Sequence, residues 1–209
     1  ADRATRTQEL KPAPFEGTET THYSVVDRDG NAVATTTTLN ELYGSGVYVA
    51  DAGFFLNDEM DDFAAQPGKP NMFGLVQGEA NAIQPGKRML SAMSPSIVLD
   101  PRGQVLLIAG GRGGPRIITA TSQVILNVID HRMILADAMS APRLHHQALP
   151  DTILVERDGL TPAALDSLAR MGHATRPVGA IANVNAIMRV PGGWHGVPDP
   201  RGSGRAAGY

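Results

Sequence analysis

The chain contains no cysteine among its 209 residues, and this absence excludes several kinds of site at once. Without a thiol there is no disulfide, no thiolate-bound metal, no iron–sulfur cluster and no cysteine nucleophile. The absence does not indicate a compartment, because exported proteins can also lack cysteine.

Long apolar runs and runs of basic charge are missing as well. The longest apolar stretches, around 97–99 and 105–109, have the length of a strand and fall far short of the roughly 18 residues of a membrane-spanning helix. Eighteen Lys and Arg against 21 Asp and Glu give a net charge of −3, without the basic stripe of a nucleic-acid-binding protein. We therefore expect no membrane span in this chain and no nucleic-acid partner.

The chain does contain enough apolar material for a folded core. Hydrophobic residues make up 42% and charged residues 19%, a composition typical of one globular domain or a large part of one. Residues 1–19 are polar, include Pro12 and Pro14 and show no periodicity, so we expect an extended tail. The chain begins without Met or a signal pattern, which favours a processed piece or a truncated chain.

From Thr20 onward, strand and helix patterns follow one another. Two β-branched runs around an Asp-Gly turn predict a hairpin over 23–39, and a second hairpin is predicted over 96–109. The Gly- and Pro-containing stretch 57–87 predicts a functional loop or lid. Apolar spacing and capping residues predict helices over 117–129, 135–139 and 161–171. A strand-like run predicts a strand over 152–156, and alternation predicts a final strand over 183–190. This order predicts a layered α/β architecture.

Several common catalytic motifs are absent. The glycine cluster 110–114 lacks the Lys-Ser/Thr of a P-loop and the spacing of a dinucleotide site, and Gly44-Ser45-Gly46 is not a nucleophile elbow. His145 and His146 are adjacent, so they point in opposite directions on a strand, and no acidic residue lies at metal-ligand spacing. We interpret them as packing or hydrogen-bonding residues.

What remains is rich in threonine and glycine. A Thr hydroxyl attacks poorly unless a base takes its proton, and the free α-amine of the same residue, with a pKa of about 7.7–8.0, is one such base. That chemistry requires the Thr to begin a chain. Thr20 and Thr21 stand between the polar tail and the first strand, where cleavage would create such a residue. The pattern alone equally fits two β-forming residues that open a strand.

The stretch TTHYSVVDRDGNAVATTTTLN, residues 20–40, resembles the start of the small subunit of γ-glutamyltransferases, also called γ-glutamyltranspeptidases. The similarity continues in the same order through LNDEMDDF, GGRGGPRIIT, APRLHHQ and DPRGSGRAAGY. Residues 1–19 resemble the end of the family's large subunit, and residues 20–209 the small catalytic subunit. The resemblance implies an αββα sandwich of the N-terminal-nucleophile hydrolases, of which this chain holds the small-subunit portion.

The resemblance also implies which residues carry the reaction. Thr20 corresponds to the nucleophile and Thr38 to the Thr whose hydroxyl hydrogen-bonds to it. Gly113 and Gly114 correspond to the oxyanion-hole pair, and their place between a strand and a helix suits that role because backbone N–H groups are unpaired there. Arg112 departs from the Ser-Pro-Gly-Gly pattern expected at this point.

Other residues correspond to the family's donor-binding pocket. Asn40, Glu59 and Asp62 match the residues that hold the glutamyl α-amino and α-carboxyl groups, and two carboxylates suit an ammonium group. Ser91 matches the first of two adjacent serines that contact the α-carboxylate, and Ala92 stands in place of the second. Phe73 replaces a lid Tyr whose hydroxyl reaches the Asn40 position in some members.

The implied activity is γ-glutamyl transfer from glutathione or a related donor to water, an amino acid or a peptide. It would proceed through a γ-glutamyl ester on Thr20 after autocatalytic cleavage between Glu19 and Thr20, without a cofactor or a metal. The implied partner is the large subunit of the same precursor, and the implied location is periplasmic or extracellular. Two alternatives stay open: a cephalosporin or glutaryl acylase of the same superfamily, and an unprocessed, non-catalytic homologue.

Overall fold

The computed structural model describes residues 20–208. The predicted extended tail 1–19 lies outside the described residues, as does Tyr209. Eleven strands and three α-helices follow in chain order: β1 (Thr21–Val26), β2 (Ala32–Thr37), β3 (Tyr48–Val49), β4 (Phe54–Phe55), β5 (Ser96–Leu99), β6 (Val105–Arg112), α1 (Arg116–Ile129), α2 (Leu135–Ser140), β7 (Leu144–His145), β8 (Ile153–Glu156), α3 (Pro162–Arg170), β9 (Thr175–Val178), β10 (Asn183–Val190) and β11 (Gly193–Pro198).

Two sheets and a layer of helices form the centre of the structure. The antiparallel hairpin β1–β2 packs on one face of a four-stranded antiparallel sheet in the order β11-β10-β6-β5. Helices α1 and α2 cover the other face, and an apolar cluster fills the space between helices and sheet, with Leu107, Val124, Leu135, Met139 and Val184 fully buried. The described residues therefore form an α-β-β stack, which confirms the expected α/β layering.

The outer face of the β1–β2 hairpin is apolar and exposed. Side chains alternate across a strand, so His22 points into the molecule and is buried, while Tyr23 and Val25 on the opposite face are 50% and 53% exposed. Val33 on β2 is 51% exposed. Within residues 20–208, no helix packs on this face, so a fourth layer would have to come from outside the described chain.

A buried ion-pair network fastens the segment after β11 to the start of β10. Arg143 and Asp199 are each 1% exposed, and Arg143 Nη2 lies 2.7 Å from Asp199 Oδ2. The same carboxylate oxygen accepts from Val184 N at 2.7 Å. Arg201 bridges Asp199 and Glu156. Burial raises the pKa of Glu156, but hydrogen bonds from Arg201 and from two backbone N–H groups outweigh it and hold that pKa below its usual value.

The longer elements agree with the sequence pattern except near the end of the chain, whereas the two-residue strands β3, β4 and β7 were not predicted. Both hairpins form, and α3 begins as predicted, because Thr161 Oγ1 accepts from Ala164 N at 3.2 Å and Pro162 occupies the first turn. The expectation that 183–190 is the final strand is wrong. β11 follows it and pairs antiparallel with β10, with Val190 opposite Gly193. β9 is a further unpredicted strand, parallel to β8.

Candidate active site

Thr20 stands directly before β1, and strand pairing brings it to Thr38. Because Thr21 is opposite Thr37 in the antiparallel register, the residues just beyond the ladder, Thr20 and Thr38, meet at its end. Thr20 Oγ1 donates to Thr38 Oγ1 at 2.9 Å, and the backbone N–H of Asn40 donates to the same Thr38 oxygen at 2.8 Å. The hairpin register thus places the Thr20 hydroxyl in a defined hydrogen bond.

Asn40 turns the chain out of β2 and aims its amide at the loop that covers the site. Its φ of 76° is left-handed, a conformation that Asn adopts more readily than most residues. The side chain is buried, and Nδ2 lies 3.5 Å from both the Asp58 carbonyl oxygen and the Met72 sulfur. The contact with Met72 was not predicted from the sequence.

The acidic pair Glu59 and Asp62 lies on one 3₁₀ helix, Glu59–Asp62. Burial, the nearby charge of Asp62 and a hydrogen bond to it raise the pKa of Glu59 to about 7. Burial also raises the pKa of Asp62. Asn81 Nδ2 donates to the Asp62 carbonyl oxygen at 2.6 Å and fixes the end of the helix. Two carboxyl groups with raised pKa values favour a cation between them, since a positive charge relieves their repulsion.

Gly113 and Gly114 form the junction between β6 and α1, and neither position accommodates a side chain. Their φ values are 133° and 57°, in the region that favours glycine. A Cβ on Gly113 would lie 2.8 Å from Ala182 Cα, and one on Gly114 would lie 2.9 Å from Phe73 Cε1. The two glycines directly precede the positive end of α1, where a negative charge is favoured.

One small cavity brings these residues together. Seven of the eight site residues predicted from the sequence border this cavity: Thr20, Thr38, Asn40, Glu59, Asp62, Ser91 and Gly114. The eighth, Gly113, directly precedes Gly114 in the chain. Ser91 Oγ accepts from Met93 N at 3.2 Å. Leu75, Leu90, Met93 and Ile117 complete an apolar wall that the sequence did not reveal, because an apolar residue in a loop carries no signal of a pocket.

Three histidines lie behind or beside this cavity. His22 is buried between β1 and β6, with its nitrogens 2.8 Å from Thr36 Oγ1 and 3.1 Å from Ser24 Oγ, and burial lowers its pKa to about 4. His145 is buried and hydrogen-bonded, while His146 is exposed and lies 3.0 Å from Asp151. The adjacent pair is therefore hydrogen-bonded, as predicted, and His22 is a buried polar residue that the strand pattern did not single out.

A family model described as γ-glutamyltranspeptidase matches residues 2–209. The chain belongs to the γ-glutamyltranspeptidase family. It is 47% identical over 204 residues to the glutathione hydrolase proenzyme of Escherichia coli (strain K12), and the match covers 96% of this chain and 35% of that protein. The chain thus spans about a third of the length of this curated relative.

Solved structures confirm the N-terminal-nucleophile hydrolase fold for this member of the γ-glutamyltranspeptidase family. The structure of a T380A mutant of Helicobacter pylori γ-glutamyltranspeptidase has a TM-score of 0.82 and 49% identity, and the match covers 87% of this chain and all of that one. A cephalosporin acylase from Bacillus halodurans has a TM-score of 0.73 at 26% identity, covering 93% of this chain and 36% of that protein. Among residues 20–208 no helix is long and apolar enough to cross a membrane.

The departures from the γ-glutamyltranspeptidase pattern now have a structural setting. Phe73 lies against Gly114 at the cavity's edge, so its ring covers the site although it lacks the expected Tyr hydroxyl. The amide of Asn40, which that hydroxyl would reach, instead meets the sulfur of Met72, a weak acceptor. Ala92 lines the cavity beside Ser91, which leaves one hydroxyl where the family commonly has two.

Proposed function

We propose that this chain is the catalytic part of a γ-glutamyltransferase that also hydrolyses γ-glutamyl amides such as glutathione. One observation carries the proposal: the hydrogen-bonded Thr20 hydroxyl and the acidic pair Glu59 and Asp62 face the same cavity, with Gly114 on its wall. A nucleophile, a cation site and an oxyanion site at one cavity are the parts that acyl transfer from a γ-glutamyl donor requires.

The first step is self-cleavage between Glu19 and Thr20. The Thr20 hydroxyl adds to the Glu19 carbonyl carbon, the C–N bond breaks, and the proton passes to the freed Thr20 nitrogen. Water then hydrolyses the resulting ester, which leaves a carboxylate on Glu19 and a free α-amine on Thr20. Thr38 orients the Thr20 hydroxyl in this step, because its oxygen accepts the Thr20 hydrogen bond.

Acyl transfer then uses the new α-amine as the base. The amine takes the proton of the Thr20 hydroxyl, whose oxygen attacks the γ-carbonyl of the donor, and the backbone N–H groups of Gly113 and Gly114 stabilise the oxyanion. The proton passes to the leaving amine as the γ-glutamyl ester forms. Water or an acceptor amine then attacks that ester and restores the Thr20 hydroxyl.

Donor selectivity comes from the other end of the cavity. Glu59 and Asp62 bind the donor's α-ammonium group, and Asn40 and Ser91 donate to its α-carboxylate. The binding of a cation lowers the pKa of Glu59 from about 7, because the positive charge favours the ionised carboxyl group.

The partner in this proposal is the large subunit of the same precursor. The exposed apolar face formed by Tyr23, Val25 and Val33 supports it, since an αββα sandwich needs a further layer there and apolar faces of this kind are usually covered. Export to the periplasm or cell exterior is proposed from the family resemblance, and cell fractionation with detection of the chain tests it.

The acylase alternative has a specific observation against it. An acyl group that lacks an ammonium group has no use for Glu59 and Asp62, whose partial burial raises both their pKa values and costs stability. The identity of 26% to the cephalosporin acylase, against 49% to the Helicobacter pylori enzyme, also favours the γ-glutamyl donor. The non-catalytic alternative predicts that Thr20 is never freed.

The experiment for this proposal is expression of the full-length precursor as wild type and as Thr20→Ala. The wild type is expected to yield a fragment whose intact mass matches a chain that begins at Thr20, and to cleave a γ-glutamyl anilide. Thr20→Ala is expected to stay uncut and inactive. Thr21→Ala is the matched control and should still be cleaved. Normal processing of Thr20→Ala, or an uncut wild type, contradicts the proposal.

A further inference from the structure

A chain of hydrogen bonds runs from α1 to the loop that covers the cavity. Thr119 Oγ1 lies 2.9 Å from His145 Nδ1, and His145 Nε2 lies 2.9 Å from Gln147 Oε1. Gln147 Nε2 then donates to the Phe73 carbonyl oxygen at 3.2 Å. None of Thr119, His145 and Gln147 borders the cavity itself, and the last bond of the chain reaches it at Phe73.

The donors and acceptors along this chain have one consistent assignment. Gln147 Nε2 faces two carbonyl oxygens, of Phe73 and Leu149, each at 3.2 Å, so Oε1 must face His145, and it can only accept. His145 Nε2 therefore carries the ring proton, and Nδ1 accepts from the Thr119 hydroxyl at 2.9 Å. The same hydroxyl also lies 3.2 Å from the Arg116 carbonyl oxygen, which is the longer of its two contacts. His145 is 3% exposed, and burial lowers its pKa, which favours the neutral ring of this assignment.

The loop that receives this hydrogen bond is a tight turn that presents Phe73 to the site. Within the turn, Asn71 Oδ1 accepts from Phe73 N at 3.1 Å and from Leu75 N at 3.0 Å. These bonds shape the turn but do not attach it to α1 or to Gly114. The contact from Gln147, 74 residues away in sequence, supplies such an attachment, and the Phe73 ring lies directly over Gly114.

We propose that Gln147 is a positioning residue that holds the Phe73 carbonyl so that the ring closes the cavity over Gly114, with His145 fixing the orientation of the Gln147 amide. The consequence for the reaction rests on the proposed function: a closed ring retains the donor, so loosening it raises KM more than it lowers kcat. The anchor acts on the backbone, so it does not depend on the Tyr hydroxyl that Phe73 lacks.

Gln147→Glu tests the anchor without changing the size of the side chain. As a carboxylate, residue 147 still accepts from His145 but cannot donate to the Phe73 carbonyl, whereas the protonated acid can do both. The ionisable groups around it are His145, the His146–Asp151 pair, Arg116, whose charge lowers the pKa of His145, and Asp61, which lies 3.4 Å from Met72 N. Gln147→Met removes the donor at every pH and serves as the second variant.

The measurement is hydrogen exchange of peptides covering 71–77 in the processed two-subunit protein, with donor kinetics alongside. At pH 8 we expect protection to fall about five- to tenfold in Gln147→Glu and in Gln147→Met, the effect of losing about one hydrogen bond. The loss should be similar in the two variants, because neither side chain can donate to the Phe73 carbonyl oxygen at this pH. Gln66→Glu, the same change at an exposed loop position, should alter neither the protection of 71–77 nor the donor kinetics.

KM for a γ-glutamyl anilide should rise about fivefold in both Gln147 variants at pH 8, with kcat within about twofold of wild type. Unchanged protection of 71–77 at pH 8 would overturn the anchor. A loss in Gln147→Met without a loss in Gln147→Glu would also overturn it, since the donated hydrogen bond would then not be what holds the loop. An absence of γ-glutamyl activity would overturn the proposed function. It would not decide the anchor, because hydrogen exchange needs no turnover and tests the anchor by itself.

Discussion

In the proposed function, two carboxylates and one missing hydroxyl set the donor preference at the residue scale. Hydrogen bonds to charged groups contribute about 1.5–3 kcal/mol, and a neutral hydroxyl contact contributes about 0.5–1.5 kcal/mol. The contacts of Glu59 and Asp62 with an ammonium group therefore outweigh the loss of one Ser hydroxyl at Ala92. We therefore expect the donor's α-amino group to dominate recognition, and the departure at Ala92 to weaken binding without removing the reaction.

Asp62→Asn should lower kcat/KM for a γ-glutamyl anilide by about 10- to 100-fold, because one charge-assisted contact with the ammonium group is lost. The matched glutaryl anilide, which has no amine, should change by less than about threefold. Asp51→Asn, at an exposed position outside the cavity, is the control and should leave both rates unchanged. An equal loss for the two substrates would show that Asp62 acts through the fold and not through the ammonium group.

The pH dependence of binding follows from the pKa of Glu59, which is about 7 in the free site. Below that pH Glu59 is protonated and attracts an ammonium group less, so the inhibition constant of glutamate should fall as the pH rises from 5.5 to about 7.5. The inhibition constant of glutarate should move in the opposite direction. In Glu59→Gln the glutamate profile should be flat over this range, and a retained slope would assign the titration to another group.

The site could be predicted from the sequence only through the family resemblance. Glu59 and Asp62 lie in an acidic stretch that alone fits a solvated loop, and Thr20 alone fits a residue that opens a strand. Their meeting with Gly114 depends on contacts between residues far apart in the chain, which no local pattern records. The Met72 contact with Asn40 and the Gln147 contact with Phe73 were not predicted for the same reason, because each joins two loops.

At the scale of elements, the regular part of the fold was predictable because its local signals agree with its packing. The apolar stripe of α1 faces the sheet, and the Thr161 cap begins α3. β11 was missed because Gly193, Gly196 and Pro198 are poor strand formers, although Pro191-Gly192 before it is a turn signal and Gly192 has a φ of 86°. β9 contains Pro177, which is tolerated because β9 is an edge strand.

The buried ion pair between Arg143 and Asp199 is expected to hold β10 and the segment after β11 together. Asp199→Asn leaves the buried Arg143 with less compensating charge and should lower the free energy of unfolding by about 3–5 kcal/mol. Denaturant unfolding of the two-subunit protein measures it, and Asp166→Asn on the exposed surface of α3 is the control. A loss below about 1 kcal/mol would mean that Arg143 finds other partners or that water reaches it.

For the whole molecule, the open hairpin face predicts that residues 20–209 depend on the large subunit. Produced alone, the chain should self-associate and show no γ-glutamyl activity, because Tyr23, Val25 and Val33 leave apolar surface uncovered. Light scattering after size exclusion, with and without co-expression of the large subunit, measures this. A monodisperse and active preparation of the chain alone would contradict the proposed partner.

The γ-glutamyl ester on Thr20 is the species on which the proposed function depends. Processed enzyme is mixed with a γ-glutamyl anilide, quenched in acid during turnover and digested, and the peptide that begins at Thr20 is weighed by mass spectrometry. We expect that peptide to gain the mass of one γ-glutamyl group, with fragmentation placing it on the Thr20 oxygen, and to carry a smaller fraction of acyl group after the same incubation with the glutaryl anilide. An unmodified Thr20 peptide during rapid turnover, or an acyl group on any other residue, would contradict a γ-glutamyl-Thr20 intermediate.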